Sequence, residues 1–270
     1  MTARDEAVDA LARQSDDTRL REFWNTRYST FALSESGWLG AGDSLNERIY
    51  ACKRQALQRA LDALGLDRAR PFSVLDAGCG QGHFARLYRQ VYPNATYVGV
   101  DISERLVAHL RRSIGGAEFH AGNLCEWRDP AGRRFDVVQS FEVLHLILDD
   151  DAMVRALGSM AAAVSDRGAL LLTAPMPDAT IQPSTYLRYR SRRFWEQALA
   201  DARLAIVADE PMYYWLPAGG PRNKYARHAL TQLGPKALYA LDRAAFALRL
   251  SPPPSYGVDC QTRLLTVRRR

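Results

Sequence analysis

Between residue 73 and about residue 174 the apolar positions of this chain change period several times. Short β-branched or apolar runs at 73–77, 96–101, 117–121, 135–140 and 168–174 read as strands one to five. Between them, segments 82–92, 104–113 and 152–164 repeat apolar residues at helical spacing. Strands alternating with amphipathic helices predict a parallel sheet wrapped by helices.

The regularity breaks at Pro175-Met176-Pro177, after which 191–202 reads as a helix and 204–208 as a sixth strand. A final run at 262–267 reads as a seventh strand. The connection between the last two, 209–259, is long and holds two helix-like segments and the linker Pro252-Pro253-Pro254. The first 70 or so residues add helices around a Gly/Ser/Trp-rich turn at 34–44. The expected division is a helical lid over 1–70, a core over 71–208, a helical insertion over 209–258, and a terminal strand over 259–270 that completes the core.

Composition changes this picture little. Apolar residues make up 47% and charged residues 24%, ordinary globular usage. The net charge of +6 comes from 36 basic and 30 acidic residues, with strong basic clusters only at 188–193 and 268–270. Most of it reads as a solvated surface. Cys52, Cys79, Cys125 and Cys260 lie far apart with no C-x-x-C pair, which predicts reduced thiols. The amino terminus is acidic and amphipathic, and no apolar run approaches the ~20 residues of a membrane span, so a cytoplasmic protein is expected.

The chemistry begins at VLDAGCGQG, residues 74–82, a strand running into three alternating glycines and then a helix. Gly78, Gly80 and Gly82 allow a sharp turn and a close approach of backbone to ligand, in front of a helix N-terminus. The spacing is G-x-G-x-G rather than G-x-G-x-x-G, and Asp76 stands two residues before the first glycine. Its carboxylate would repel a pyrophosphate and attract an amino group. Asp101, closing the strand of YVGVDIS at 97–103, is suited to both hydroxyls of a ribose.

These stretches, with HAGNL at 120–124, FDVVQS at 135–140 and GALLLTAP at 168–175, resemble the motifs of the class I methyltransferases that use S-adenosyl-L-methionine (SAM) and release S-adenosyl-L-homocysteine. The resemblance covers about residues 70–208. It implies a seven-stranded, mostly parallel Rossmann-like α/β sheet with helices on both faces, and a last strand running antiparallel. It further implies that Gly78 and Gly80 line the methionine moiety, that Asp76 faces its amino group, and that Asp101 holds the ribose. Ile102 would pack on adenine, Asn123 and Leu124 would read its edge, and Gly82 and Ser140 belong to the same cofactor set. The family usually has Asp where this chain has Asn123, whose amide oxygen can still accept from the adenine amine.

Methyl transfer needs the acceptor lone pair in line with the methyl carbon, and for some acceptors a base. The segment Gln139-Ser140-Phe141-Glu142 differs from the polar-Pro-Pro-aromatic segment of enzymes that methylate nucleic-acid base amines, which argues against a nucleic-acid partner. A small-molecule acceptor methylated on O or N, with C as the lesser alternative, is expected. In EVLHLILD, residues 142–149, His145 is either a general base or a scaffold residue under the sheet, and Glu142 is an equal candidate for the base. The acidic run 149–151 reads as a helix cap rather than a metal site, so no metal is expected. Segments 24–38, 186–190 and 213–227 supply the expected acceptor walls, with Trp24, Tyr28, Tyr186, Tyr214 and Arg222 as substrate contacts suited to an aromatic or acidic molecule. A nucleic-acid methyltransferase and a non-catalytic SAM-binding protein remain the alternatives.

Overall fold

A computed structural model of the chain describes residues 16–31, 35, 37, 42–212, 235–248 and 262–270. Its strands are β1 (Phe72–Ala77), β2 (Ala95–Asp101), β3 (Glu118–Ala121), β4 (Phe135–Ser140), β5 (Val164–Pro175), β6 (Ile181–Ser184), β7 (Leu187–Tyr189), β8 (Leu204–Pro211) and β9 (Thr262–Arg269). Its helices are α1 (Asp16–Arg27), α2 (Gly42–Ala63), α3 (His83–Val91), α4 (Glu104–Ser113), α5 (Asp150–Ala163), α6 (Arg192–Asp201) and α7 (Pro235–Ala247). Seven strands form one sheet in the order β3-β2-β1-β4-β5-β9-β8, and β6 and β7 pair separately.

Strands β1 to β5 are parallel, while β9 runs antiparallel between β5 and β8. The expected Rossmann-like sheet is therefore present. Among the described residues the sixth strand, β8, has the antiparallel β9 as its one sheet neighbour, because the last strand inserts between it and β5. It also runs on to Pro211, past the expected boundary at 208.

Successive strand residues face opposite layers, as a period of two requires. Val74, Tyr97, Phe119, Val137 and Leu171 pack beneath α2, α3 and α4, while Leu75, Val98, Val100, Val138, Leu170 and Leu172 pack beneath α5 and α6. On α2 the buried residues Ile49, Cys52, Ala56, Leu57, Ala60 and Leu61 repeat at three and four, which lays one stripe on the sheet. Gly42, Asp43 and Ser44, expected in a turn, begin this helix.

Other departures have local causes. Strand β5 starts at Val164 rather than at residue 168, directly after α5, and its pairing with β4 shifts register between Phe135 and Val137. Gly168 sits at that irregularity, where a Cβ would lie 2.7 Å from the Phe135 carbonyl oxygen. The β6–β7 hairpin falls where the sequence suggests only a break in regularity, since Gln-Pro-Ser-Thr reads as loop. Of the long connection before β9, α7 is described. It lies on α2, where Gln55 and Arg48 meet the Tyr239 side chain.

Helix α1 has little apolar periodicity and is seated by polar contacts. Arg19 donates to the Leu146 carbonyl at 3.1 Å, Asn25 accepts from the Ser103 hydroxyl at 2.7 Å, and Arg21 pairs with Glu104 at 3.2 Å. No helix among the described residues is long and apolar enough to cross a membrane. Cys52, Cys79 and Cys125 form no disulfide among the described residues, and Cys260 lies outside them.

The acidic run acts at the start of α5. Asp149 accepts from the Ala152 N–H at 2.7 Å, and Asp150 takes Arg188 and Arg190 in ion pairs of 2.8 Å each. Asp149→Ala should cost about 1 kcal/mol in denaturant titrations, and adding Mg²⁺ should leave the wild-type midpoint where it was. A midpoint that rises with Mg²⁺ would assign the run to a metal instead.

Candidate active site

The strand order reverses at β1, so the chain leaves the carboxyl ends of β1 and β4 in opposite directions and opens a crevice there. A pocket of about 910 Å³, counting the space at its mouth, occupies this crevice.

The floor is the loop between β1 and α3. Gly78, Gly80 and Gly82 have φ of 84°, 50° and 68°, the left-handed region that glycine enters without strain. They do not all do the same work. Gly78 and Gly80 line the pocket. Gly82 turns away from it, and a Cβ there would lie 2.6 Å from Ile114 and 3.0 Å from Leu110, so this glycine serves the packing of α3 on α4. At Gly78 a Cβ would lie 2.4 Å from a Val143 methyl, which is itself part of the wall.

Asp101 closes β2 at the pocket edge. Its two oxygens accept the Gly80 and Ser103 N–H groups, each at 3.0 Å. Burial pushes its pKa up to about 6, against the lowering effect of these backbone donors. Ile102, Asn123 and Leu124 continue the wall. The Asn123 amide oxygen receives the Cys125 N–H at 3.0 Å, which orients its NH₂ as a donor.

Asp76 and Ser140 are not on the wall. Asp76 is 1% exposed behind the glycine loop, where the Tyr97 hydroxyl donates to it. Burial pushes its pKa up to about 6, and the Tyr97 bond opposes the rise. Ser140 donates to the Ala77 carbonyl at 2.9 Å and ties β4 to β1.

Helix α1 brings Leu20, Trp24 and Tyr28 to the pocket, with Trp24 and Tyr28 stacked at 5.4 Å. Tyr186 stacks on Phe23 at 6.3 Å, on the hairpin side of α1 and off the wall. Tyr214 and Arg222 lie outside the described residues.

The two catalytic candidates separate. Glu142 lines the pocket, with φ of 57° and its N–H donating to the Thr173 hydroxyl at 2.6 Å. His145 does not line it. Its ring meets Tyr189 edge-on at 5.8 Å, and its Nδ1 is shut away from solvent with no hydrogen-bond partner. Burial drops its pKa to about 4.

Lys53, Tyr50 and His83 complete the wall, and sequence reasoning missed all three. Lys53 on α2 is 3% exposed, forms an ion pair with Glu142, and lies 4.3 Å from the centre of the Tyr50 ring. Burial disfavours its charge, yet Glu142 outweighs that and holds its pKa above the ordinary lysine value. His83 accepts from Arg54 at 3.0 Å; burial first, then Arg54 and Lys53, drop its pKa to about 3, so its ring is neutral. The signal was available at Lys53, a charge set inside the apolar stripe of α2.

Arg188 and Arg190 also depart from the solvated reading of their cluster. Arg190 is 1% exposed and donates to the carbonyls of Ile147, Leu148 and Asp149 at 2.9, 3.3 and 3.0 Å. It thereby fixes the backbone behind the wall residues Leu146 and Ile147.

A sheet of this order, with a glycine loop and an acidic residue at its crevice, has the architecture of the class I methyltransferases. A family model described as a methyltransferase domain matches residues 47–238, and the chain belongs to that family. Similar curated proteins include a trans-aconitate 2-methyltransferase of Paracidovorax citrulli, 27% identical over 59% of this chain and 61% of that one. Another is a fatty-acid O-methyltransferase of Mycolicibacterium smegmatis, 29% identical over 56% and 50%. The chain spans between half and about three-fifths of the length of these relatives. Among solved structures, magnesium protoporphyrin IX methyltransferase of Synechocystis with bound SAM aligns over 96% of this chain and 99% of its own, with a TM-score of 0.58 at 16% identity. The [4+2]-cyclase SpnF aligns over 80% and 81%, with a TM-score of 0.52 at 20% identity. At such identities the likeness is one of fold.

Asp76 and Asp101 together make stability depend on pH. Both are raised from 3.8 to about 6, so the folded chain takes up protons between about pH 6 and pH 4 that the unfolded chain does not. Each carboxylate is thus a cost above pH 6 that protonation relieves on acidification. Asp76→Asn removes one such cost at neutral pH only. Its melting temperature relative to wild type should fall by roughly 2–6 °C between pH 7.5 and pH 4.5. A difference that stays constant across that range would mean that Asp76 is not raised.

Proposed function

We propose that the protein is a SAM-dependent methyltransferase acting on O or N of a small-molecule acceptor. The observation that carries this reading is the order of wall groups along the sheet edge. Asn123 follows β3, Asp101 ends β2, the glycine loop follows β1, and Glu142 follows β4. An adenine, a ribose and an amino-acid chain laid along that row would meet an amide, a carboxylate and a bare backbone in turn. Ile102 and Leu124 would flank the adenine, and Gly78 and Gly80 the methionine chain. Bound there, SAM would supply an activated methyl group, and the chain's own residues would position it and exclude water.

The aromatic face of α1 supports an acceptor site under Trp24 and Tyr28, with α1 acting as its lid. The acceptors named for the two curated relatives, trans-aconitate and a fatty acid, are both acids, which favours an acidic acceptor. A carboxylate needs no base, in keeping with the place of His145 off the wall.

Calorimetry with S-adenosylhomocysteine tests the reading. Wild type should bind it and leave NAD unbound, and Asp101→Ala should lose roughly 1–3 kcal/mol of affinity. Single-turnover assays with labelled SAM and a panel of carboxylic acids should then give methyl esters. Binding of NAD alone would defeat the cofactor assignment, and binding without transfer to any acceptor would favour the non-catalytic alternative.

A further inference from the structure

Lys53 and Glu142 form a charge pair in the pocket wall, with the lysine buried and the carboxylate half-buried. The Lys53 side chain is 4% exposed and the Glu142 side chain 26%. Such a pair is an unfavourable way to stabilise a fold, because two charges must be taken out of water and an apolar pair of the same volume does as well or better. Here a second cost falls on the same residue, since Glu142 holds a φ of 57°, which a side chain with a Cβ resists. The surroundings hold both groups in place. Thr173 fixes the Glu142 backbone, and the Tyr50 ring lies beside the Lys53 ammonium.

Their place along the sheet edge gives the pair a use. It follows β4, on the far side of the glycine loop from Asp101 and Asn123, and Val143 beside it closes over Gly78. The cofactor assigned above ends in an α-amino acid, with one positive and one negative charge on neighbouring atoms. Asp76, which precedes the loop in sequence, is off the wall and engaged by Tyr97, so the wall's carboxylate at this end is Glu142.

We propose that Lys53 and Glu142 are the receptor for the zwitterionic end of the cofactor, Lys53 taking its carboxylate and Glu142 its ammonium group. This rests on the SAM reading and assigns residues within it. In the ligand-free chain the two side chains satisfy each other. The incoming zwitterion replaces that pair with two, so the Lys53 charge is already desolvated and both charges are oriented when the ligand arrives.

The test is calorimetry with three thioethers on wild type, Lys53→Met and Glu142→Gln. S-adenosylhomocysteine carries both charges, its decarboxylated analogue keeps the amine alone, and 5′-methylthioadenosine carries neither. Each substitution should weaken S-adenosylhomocysteine about tenfold or more and leave methylthioadenosine within about threefold, which also reports that the nucleoside half of the pocket is intact. Lys53→Met should weaken the decarboxylated analogue far less than it weakens S-adenosylhomocysteine, whereas Glu142→Gln should weaken both. Equal losses for charged and uncharged thioethers, or unchanged S-adenosylhomocysteine affinity in either variant, would overturn the assignment. Wild type that binds none of the three would instead remove the SAM reading beneath it.

Discussion

The carboxylate of Asp101 is a joint on which the glycine loop and the neighbouring helix start both depend. One oxygen holds the Gly80 N–H and the other the Ser103 N–H, so the glycine loop and the start of α4 are fixed to the end of β2. Ser103 extends the joint, because its hydroxyl accepts from Leu106 as the cap of α4 and donates to Asn25 on α1. A lid helix, a loop, one strand end and the start of α4 thus meet within one hydrogen-bonded chain. Burial opposes the charge and the backbone donors favour it, and burial wins by enough to raise the pKa to about 6. At neutral pH the site therefore holds a carboxylate that gains from any further donor, which is what a diol presents.

A second constraint acts on the other side of the crevice. After β4 the chain runs through a short 3-10 turn, Leu144–Leu146, and the carbonyls of Ile147 and Leu148 fall between that turn and α5. Buried carbonyls need donors. Arg190 supplies them from beyond β7, and its side chain is held in turn by Asp150 on α5. The shape of the wall at Leu146 and Ile147 is consequently set by a hairpin some forty residues on in sequence. Phe23 against Tyr186 carries the same hairpin to α1, so both sides of the pocket lean on it.

These two joints explain what was legible in the sequence. The strands, the helices flanking them, and the row Gly78, Gly80, Asp101, Ile102, Asn123, Leu124 follow from local pattern, because each lies within a few residues of a strand end. Asp76 and Gly82 carry the same local signal, yet the Asp76 carboxylate lies behind the loop and the Gly82 backbone packs against α4, a placement that spacing does not encode. Lys53, Tyr50 and His83 reach the wall only through the docking of α2. Arg190 reads as surface because a run of arginines ordinarily is, and its carbonyl partners become neighbours only in the folded chain. The hairpin that carries it is short, with Pro183 inside β6, and offers no alternating pattern to find.

The sheet also sets a ruler. Adjacent strands lie about 4.8 Å apart, so the three steps from the end of β3 to the end of β4 span roughly 14 Å. Along that length the wall changes character, from an amide among apolar groups at Asn123, through one carboxylate at Asp101 and a stretch of bare backbone, to an opposed charge pair at Glu142 and Lys53. A ligand that satisfies the whole row must be flat and neutral at one end, hydroxylated next to it, thin in the middle and doubly charged at the other end. A dinucleotide fails at the third and fourth positions, since its second phosphate and ribose would meet Glu142. The glycine motif alone admits several classes of ligand. The order of groups along the strand ends is the narrower filter, and it comes from the sheet topology rather than from any single residue.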